Sequence, residues 1–503
     1  LRATQLLAQL QAHFSIQLTQ RELFAAPTIA QLADLIDQQD APSVSTPPLG
    51  RRVYDDIIPL SFAQQRLWFL DQLEPGNAAY NIPLAISITG PLNRLALYQA
   101  MREIICRHET LRTTFQVQHG KPHQVIHKNP TVAIKIIELN RAPTTIPDAV
   151  VRSKIEEEIH HPFHLACGPL LRMFLLQTQS QVHIFVITLH HIISDGWSVG
   201  VLVQELNVLY NAFVQQLPAP LPALPIQYAD FAYWQQESLY GIHLNDQQSY
   251  WVQQLHDATP YLNLPTDYPR PPVQSFEGTS CLFQMSEEFS QQLRAFSKQE
   301  GVTLFMTLLA ALGIVLTRIC EQDEIVVAAP IANRTHHEVT NLIGFFVNTL
   351  ALRVALSGDL DGHTLLAQVH TTTLESYNHQ DIPFIQVVEA LKPPRDTSRS
   401  PFSQVFLTLQ NVPIPEVQLK DLSVQPINLI TEKTKADLSF TFLEHKEGLQ
   451  LEIQYSTHLF SIGTIKRIQH QYRATLEYLV NYPEWKISHL WTQVSDTIQR
   501  TYE

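Results

Sequence analysis

The stretch that most constrains this chain runs Leu189-His190-His191-Ile192-Ile193-Ser194-Asp195-Gly196-Trp197-Ser198. Ahead of it, Gln181 to Leu189 is strand-like. Behind it, Val199 to Phe213 reads as a helix, with Val199, Leu202, Val203, Leu206 and Phe213 inward. Successive strand side chains point to opposite faces, so His190 and His191 cannot both face one cavity while the strand continues. One should pack and bond inward, and the other can reach a substrate. Asp195 and Gly196 re-aim the chain, and a glycine lets a backbone or ligand come close.

A bare His-His pair at a strand end is most simply a pair of satisfied core residues. A metal site needs a third ligand, and side chains on opposite faces cannot chelate one ion. Asp195 follows His191 by four residues, but across a turn rather than along a helix face. The pattern argues against a metal and leaves catalysis open.

At 503 residues the chain exceeds what one core supports, which predicts roughly two to four folding units. Residues 1–40 read as a small helical piece. Leu6, Leu7 and Leu10 form an apolar stripe, Thr19 with Glu22 is a capping-box pattern before Leu23 and Phe24, and Pro27-Thr28 with Gln31 starts another helix carrying Leu32, Leu35 and Ile36. A linker over 41–56 holds Ala41-Pro42-Ser43 and Thr46-Pro47-Pro48. From there the chain is mixed α and β. Ala85–Thr89 alternates as a strand and stops at Gly90-Pro91. Pro218, Pro220, Pro222 and Pro225 interrupt regular structure, which places a crossing between two lobes, 57–225 and 226–503. The second lobe should hold a helix over Thr303–Arg318 and strands over Glu324–Ala329 and Phe345–Arg353.

Lys and Arg number 34 against 47 Asp and Glu, a net charge of −13, which argues against a nucleic-acid binder. Cys106, Cys167, Cys281 and Cys320 have neither zinc nor CxxC spacing and are expected as buried, reduced thiols. Leu1–Leu10 lacks the pattern of a secretion signal. The apolar run Leu304–Leu316 falls short of the ~20 residues of a membrane helix and reads as a core helix. The expectation is a cytoplasmic protein with no membrane partner.

The His-His segment resembles the signature of condensation domains of non-ribosomal peptide synthetases and of their chloramphenicol-acetyltransferase-like relatives. Six further stretches resemble the condensation family, in the same order. They are Ser61–Leu70 (SFAQQRLWFL), Arg107–Thr113 (RHETLRT), Tyr228–Trp234 (YADFAYW), Ile343–Thr349 (IGFFVNT), His379–Phe384 (HQDIPF) and Arg395–Arg399 (RDTSR). Ile385 departs from the pattern, standing where many relatives carry a glutamate. Residues 1–40 resemble the second half of a peptidyl carrier domain. In that family the serine bearing phosphopantetheine immediately precedes the residue matching Leu1, so the attachment serine is expected outside this sequence.

The resemblance implies a mixed α/β fold: two chloramphenicol-acetyltransferase-like lobes in a V around a central tunnel, a second-lobe segment reaching across to the first, and a small all-α carrier remnant. It implies amide-bond formation between a donor thioester on an upstream carrier and the α-amine of an acceptor thioester on a downstream carrier. The 4′-phosphopantetheine arms belong to those carriers, a downstream adenylation domain is a further expected partner, and no metal or nucleotide is required. The sequence likewise shows no phosphate loop and no GxSxG elbow.

His191 matches the family's catalytic histidine, as base or as positioning group. Asp195 is expected to pair with an arginine, Arg334 first and Arg66 second. His190 should hold the strand end, Gly196 leave room for the pantetheine arm or offer an amide to the oxyanion, and Trp197 wall the tunnel. Ser61 and Asn348 are candidate pantetheine contacts. Arg107 with Glu109, and Arg395 with Asp396, look like stabilising ion pairs. The context after Asp-Gly resembles condensation rather than epimerisation domains, and Ser61–Leu70 resembles the subtype taking an L-configured donor. An epimerase and a silent gatekeeping or recruiting module on the same fold are the rivals. A free-standing acyltransferase using coenzyme A is a third option, against which the carrier piece speaks.

Overall fold

The computed structural model describes residues 6–7, 9–10, 13–14, 18, 22–23, 26, 28–37, 49–54, 57–129, 132–139, 148–239, 242–356, 359–410, 415–427, 429, 432–445 and 447–502. Leu1, Thr19, Phe24, Pro27 and the linker segment Ala41–Pro48 lie outside the described residues. In the front piece Leu7, Leu18 and Leu23 are buried together, with Leu10, Leu32, Leu35 and Ile36 packed against them. Leu6, expected on the same stripe, is exposed. Neighbouring helix positions point about 100° apart at 3.6 residues per turn, and Leu7 holds the inward one. Thr28 and Gln31 cap each other, Gln31 N–H donating to Thr28 Oγ1 at 3.3 Å and Thr28 N–H to Gln31 Oε1 at 3.2 Å, and helix α1 (Ile29–Asp37) follows.

The next elements are β1 (Ile58–Pro59), α2 (Phe62–Leu73), β2 (Asn81–Thr89), α3 (Arg94–Arg107), β3 (Thr113–Gln118), β4 (Lys121–Ile126), β5 (Ile134–Glu138), α4 (Asp148–His160), β6 (Leu171–Gln179), β7 (Val182–His190) and α5 (Gly196–Val214). The second half holds α6 (Tyr228–Ser238), α7 (Ile242–Leu255), β8 (Gly278–Gln284), α8 (Glu287–Gln299), α9 (Leu304–Cys320), β9 (Glu324–Ile331), β10 (Asn348–Ala355), α10 (Gly362–Asn378), α11 (Phe384–Leu391), β11 (Val405–Gln410), β12 (Ser423–Pro426), β13 (Leu438–His445), β14 (Gly448–Ser456), α12 (Ile462–Asn481) and α13 (Ile487–Tyr502).

Two mixed sheets carry the architecture, ordered β12-β2-β7-β6-β5 and β10-β9-β11-β13-β14-β8; a small sheet, β1-β4-β3, stands beside them. Strand β7 is central and covered on both faces, which is why its sequence is nearly continuously apolar. Phe185, Ile187 and Leu189 face the core shared with α3 and α5, while Ile184 and Val186 face the core shared with α4. Helix α9 sits in the second core with its middle fully buried, which accounts for its apolar run. Among the described residues no single helix is long and apolar enough to cross a membrane.

The halves interlock. Strand β12, from the second half, pairs antiparallel with the β2 edge of the first sheet, Ser423 opposite Thr89 through Pro426 opposite Ile86. Ahead of it, residues 416–420 lie along α5. The Asn207 amide donates to Glu416 O at 2.9 Å and accepts from Gln418 N–H at 2.8 Å; Asn211 repeats the pattern with Gln418 O at 2.9 Å and Lys420 N–H at 2.7 Å. At the front, Arg52 N–H donates to Asp230 Oδ1 at 3.0 Å, and Arg51 reaches Glu109 at 3.0 Å and Asp230 at 3.3 Å, tying the linker's end to the molecule.

Three expectations need correction. The strand expected from Phe345 begins at Asn348, because the backbone of residues 343–346 bonds to side chains instead of a neighbouring strand. Cys106 and Cys167 are exposed, Cys281 is half-buried and only Cys320 is buried; all four are free thiols. The charged neighbours pair elsewhere: Arg107 with Glu205 at 2.8 Å, Glu109 with Arg51, and Asp396 with Arg399 at 2.7 Å.

Candidate active site

Strand β7 ends at His190, and a 3₁₀ turn over His191–Ile193 follows. His190 closes the strand: its N–H donates to Leu170 O at 2.9 Å, and its Nδ1 accepts the N–H of Ile192 at 3.1 Å. Its ring lies among those of Phe163 and Tyr80, at 6.0 and 6.5 Å. Burial in this apolar surround, with the nearby Lys435 ammonium adding to it, pushes its pKa down to about 3, so the ring is neutral.

The turn swings His191 toward the second half, where its ring meets Phe345 edge-on at 4.9 Å. His191 Nδ1 is buried with no hydrogen-bond partner. The ring lies deep in the protein, yet the residue keeps partial solvent access. Desolvation first, then the charge of Lys435, holds its pKa well below the ordinary value; backbone groups of His191 and Ser194 act in the opposite sense. The result is a neutral imidazole at the junction of the two halves.

Asp195 caps α5 and accepts from Ser198 N–H at 2.8 Å. Its carboxylate also accepts from Ser198 Oγ at 2.7 Å, from Arg334 Nη2 at 3.1 Å and from the N–H of Phe346 at 3.0 Å. Arg334 is fully buried, its other amino group donating to the carbonyls of Val339 and Leu342 at 2.6 and 2.7 Å. Its plane lies 4.1 Å from the Phe346 ring centre and 5.5 Å from that of Trp197. Ser198 Oγ completes the cluster, accepting from Arg334 Nη2 at 2.8 Å and from Gly344 N–H at 3.0 Å. Ser198 was not among the residues expected here; the available signal was its place three residues after a helix-capping aspartate.

The other expected residues divide. Trp197 donates from Nε1 to Thr340 O at 2.8 Å and pins α5 to the second half. Gly196 is exposed, with nothing within 4 Å of where a Cβ would stand, so the first turn of α5 opens onto free space. Arg66 does not pair with Asp195, which Arg334 already occupies; it lies over the Phe384 ring at 5.9 Å, in a cleft also lined by Phe345, Val347 and Asn348. Ser61 is buried as the N-cap of α2, bonded to Gln64 N–H and to the Tyr228 hydroxyl at 2.7 Å. Asn348 donates to the carbonyls of Gln380 and Ile382 and accepts from the N–H groups of Thr349 and Phe384. Three of the four hydrogen-bonding positions of its amide hold the chain at residues 380–384 and the fourth its own neighbour Thr349, which leaves none for a ligand.

Lys435, inconspicuous in the sequence, reaches the same centre from the segment before β13. Its ammonium sits 5.3 Å from the Tyr80 ring centre. Burial first, then the neighbouring Arg66 charge, lowers its pKa to about 8. Among the described residues no group of three or more His, Cys, Asp or Glu side chains gathers in a metal-binding arrangement.

A family model described as the condensation domain matches residues 54–500, and one described as the phosphopantetheine attachment site matches residues 1–36. The chain is 41% identical over 449 residues to malpinin synthetase of Mortierella alpina, covering 88% of this chain and 6% of that protein. To tyrocidine synthase 3 of Brevibacillus parabrevis it is 35% identical over 491 residues, covering 97% and 7%. The chain thus spans less than a tenth of the length of these relatives. Among solved structures, the X-domain from teicoplanin biosynthesis is similar with a TM-score of 0.81 at 24% identity, covering 88% of this chain and 99% of that one. The first condensation domain of the calcium-dependent antibiotic synthetase gives 0.71 at 18% identity, covering 86% and 99%. These structural likenesses show a shared fold, the chloramphenicol-acetyltransferase-like one. With its two interlocked sheets and a family match over nearly its whole length, the chain belongs to the condensation-domain family.

Proposed function

We propose that this chain joins a donor aminoacyl or peptidyl thioester, carried by an upstream carrier domain, to the α-amine of an acceptor aminoacyl thioester on a downstream carrier. The observation that carries the reading is His191: a neutral imidazole where the two halves meet, enclosed but reachable, with an unpartnered nitrogen. The amine nitrogen attacks the thioester carbonyl. The C–N bond forms, the C–S bond breaks, and the amine proton passes through the imidazole to the departing thiolate. An α-amine with a pKa near 7.7–8.0 is already partly neutral at cellular pH, so the demand on a base is modest. Holding both thioesters in one channel contributes up to roughly 7–11 kcal/mol.

Residues 57–225 and 226–503 form the two lobes in this reading, and the donor is L-configured. The phosphopantetheine arms belong to the carriers. The Arg66–Phe384 cleft, walled by Phe345 and Val347, suits the slender apolar part of such an arm. The carriers and an adenylation domain that loads one of them are the partners, in the cytoplasm.

The test is reconstitution with two loaded carriers, followed by intact mass of the acceptor. A dipeptidyl mass that appears with the wild type and vanishes with His191→Ala is expected. No transfer from a normally melting protein across several loaded pairs overturns the reading in favour of a gatekeeping module. Exchange of the α-proton without transfer overturns it in favour of an epimerase.

A further inference from the structure

Two cations without a salt-bridge partner among the described residues flank the end of β7, Lys435 on the His190 side over Tyr80 and Arg66 on the His191 side in the cleft that Phe345 shares. Among the described residues neither the Lys435 ammonium nor the Arg66 guanidinium is paired with a carboxylate. Lys435 is solvent-accessible although protein surrounds it deeply, the position of a group on a channel wall. Its ammonium lies over Tyr80, whose ring in turn faces His190 and Phe276, each at 6.5 Å. Arg66 lines the cleft that Phe345 shares, and Phe345 touches the His191 ring.

Of the nearby carboxylates, Asp381 lines the cleft that Arg66 lines and has a partner of its own, and the others are engaged as well. Asp437, two residues along, is gripped by both amino groups of Arg270 at 3.0 and 2.6 Å and by Gln404 at 2.9 Å. Glu277, in the segment next to Phe276, pairs with His458 at 3.3 Å. Asp195 belongs to Arg334, and Glu74, whose charge acts on Tyr80, accepts from the Asn77 amide at 2.8 Å. The charged and titratable groups within electrostatic reach of Lys435 are therefore Tyr80, over whose ring it lies, Arg66 from α2, and the two histidines at the end of β7.

We propose that Lys435 is a positioning residue that keeps the reaction centre poor in protons, holding both His191 and the incoming α-amine in their neutral, reactive forms. The inference rests on the amide-forming reading. A positive charge on the channel wall disfavours an ammonium beside it and attracts the oxyanion of the tetrahedral intermediate. It also discourages a lasting imidazolium, so the proton moves on to the thiolate. As pH rises through about 8, Lys435 loses its own charge, but an α-amine is then neutral without help.

The experiment compares wild type with Lys435→Met and Lys435→Arg in single-turnover transfer between loaded carriers from pH 6.5 to 9. The expected result is a roughly tenfold loss in Lys435→Met at pH 6.5, closing to within about twofold at pH 9, with Lys435→Arg close to wild type throughout. A loss equal at every pH, or an equal loss in Lys435→Arg, overturns the proposal. In parallel, histidines labelled at Cε1 are titrated by NMR, with His191→Gln assigning the signal. In Lys435→Met the His191 titration moves upward, and no movement overturns the proposal. Should wild type transfer nothing at any pH, the amide-forming reading falls, and the titration still decides the role of Lys435.

Discussion

At the residue scale, the best-determined groups are those whose charges are buried. Asp195 and Arg334 are both wholly buried, so removing one leaves the other charge without compensation, at about 3–5 kcal/mol. Asp195→Ala should therefore lower the melting temperature sharply and yield little folded protein, as read by thermal denaturation and soluble yield. Soluble Asp195→Ala with native melting would contradict this. His190 makes a second prediction. Its pKa is about 3 folded against an ordinary 6.5, so the unfolded chain binds a proton in a range where the folded one does not. Its contribution is present above pH 6.5 and is lost as pH falls, about 2 kcal/mol by pH 5. His190→Asn, which keeps an acceptor for the Ile192 N–H, should flatten the fall in stability between pH 7 and 5, as measured by denaturant titration. The sequence made these residues visible as a motif but not their surroundings. The alternation at residues 190 and 191 was readable from strand geometry. Ser198 and Lys435 were not, because each gains its meaning only from chain brought in across the fold.

At the element scale, the entry to β10 shows how side chains displace secondary structure. The pattern of Phe345 to Arg353 reads as one strand. Yet Ile343 N–H bonds to His108 Nδ1 at 3.3 Å, Gly344 N–H to Ser198 Oγ at 3.0 Å and Phe346 N–H to Asp195 Oδ2 at 3.0 Å. The Phe345 carbonyl takes the Tyr228 hydroxyl. These bonds bring Phe345 to the His191 ring, so the lost stretch of strand is what completes the site. No propensity scale reports such partners, since they lie more than a hundred residues away. Gly344 is the weak point: a Cβ there would stand 2.1 Å from Tyr228 Cδ2 and 2.5 Å from Cε2. Tyr228 also bonds to Ser61 and packs on Phe346 at 4.9 Å, so it has little room to yield. Gly344→Ala is expected to cost about 1–3 kcal/mol through overpacking and to slow transfer more than it lowers stability, because Phe345 moves with it. Calorimetry beside the transfer assay checks this, and unchanged transfer would show that the entry is not fixed by Tyr228.

At the scale of the whole molecule, two mixed sheets could have been anticipated from strand and helix patterns, and the resemblance supplied a crossing segment. How that segment is held was not legible. The contacts come from Asn207 and Asn211, which on sequence alone are polar residues on the outer face of α5. Their i, i+4 spacing puts both amides on one stripe, where each donates to one backbone carbonyl of residues 416–420 and accepts from one N–H. The helix thereby offers the crossing chain a substitute for a neighbouring strand, just before β12 joins the first sheet. Each bond is exposed, so its net worth lies near the low end of about 0.5–1.5 kcal/mol, and the four together are small beside the buried cores of the two halves. Asn207→Ala with Asn211→Ala should therefore leave global unfolding nearly unchanged while letting the crossing open locally. Limited proteolysis should cut between residues 411 and 431 several-fold faster than in wild type, at equal thermal stability. Cutting at the wild-type rate would mean that β12 alone secures the crossing. Faster cutting accompanied by slower transfer would mean that the clasp on α5 also sets the spacing of the two halves around His191, since the first turn of that same helix carries Gly196, Trp197 and Ser198.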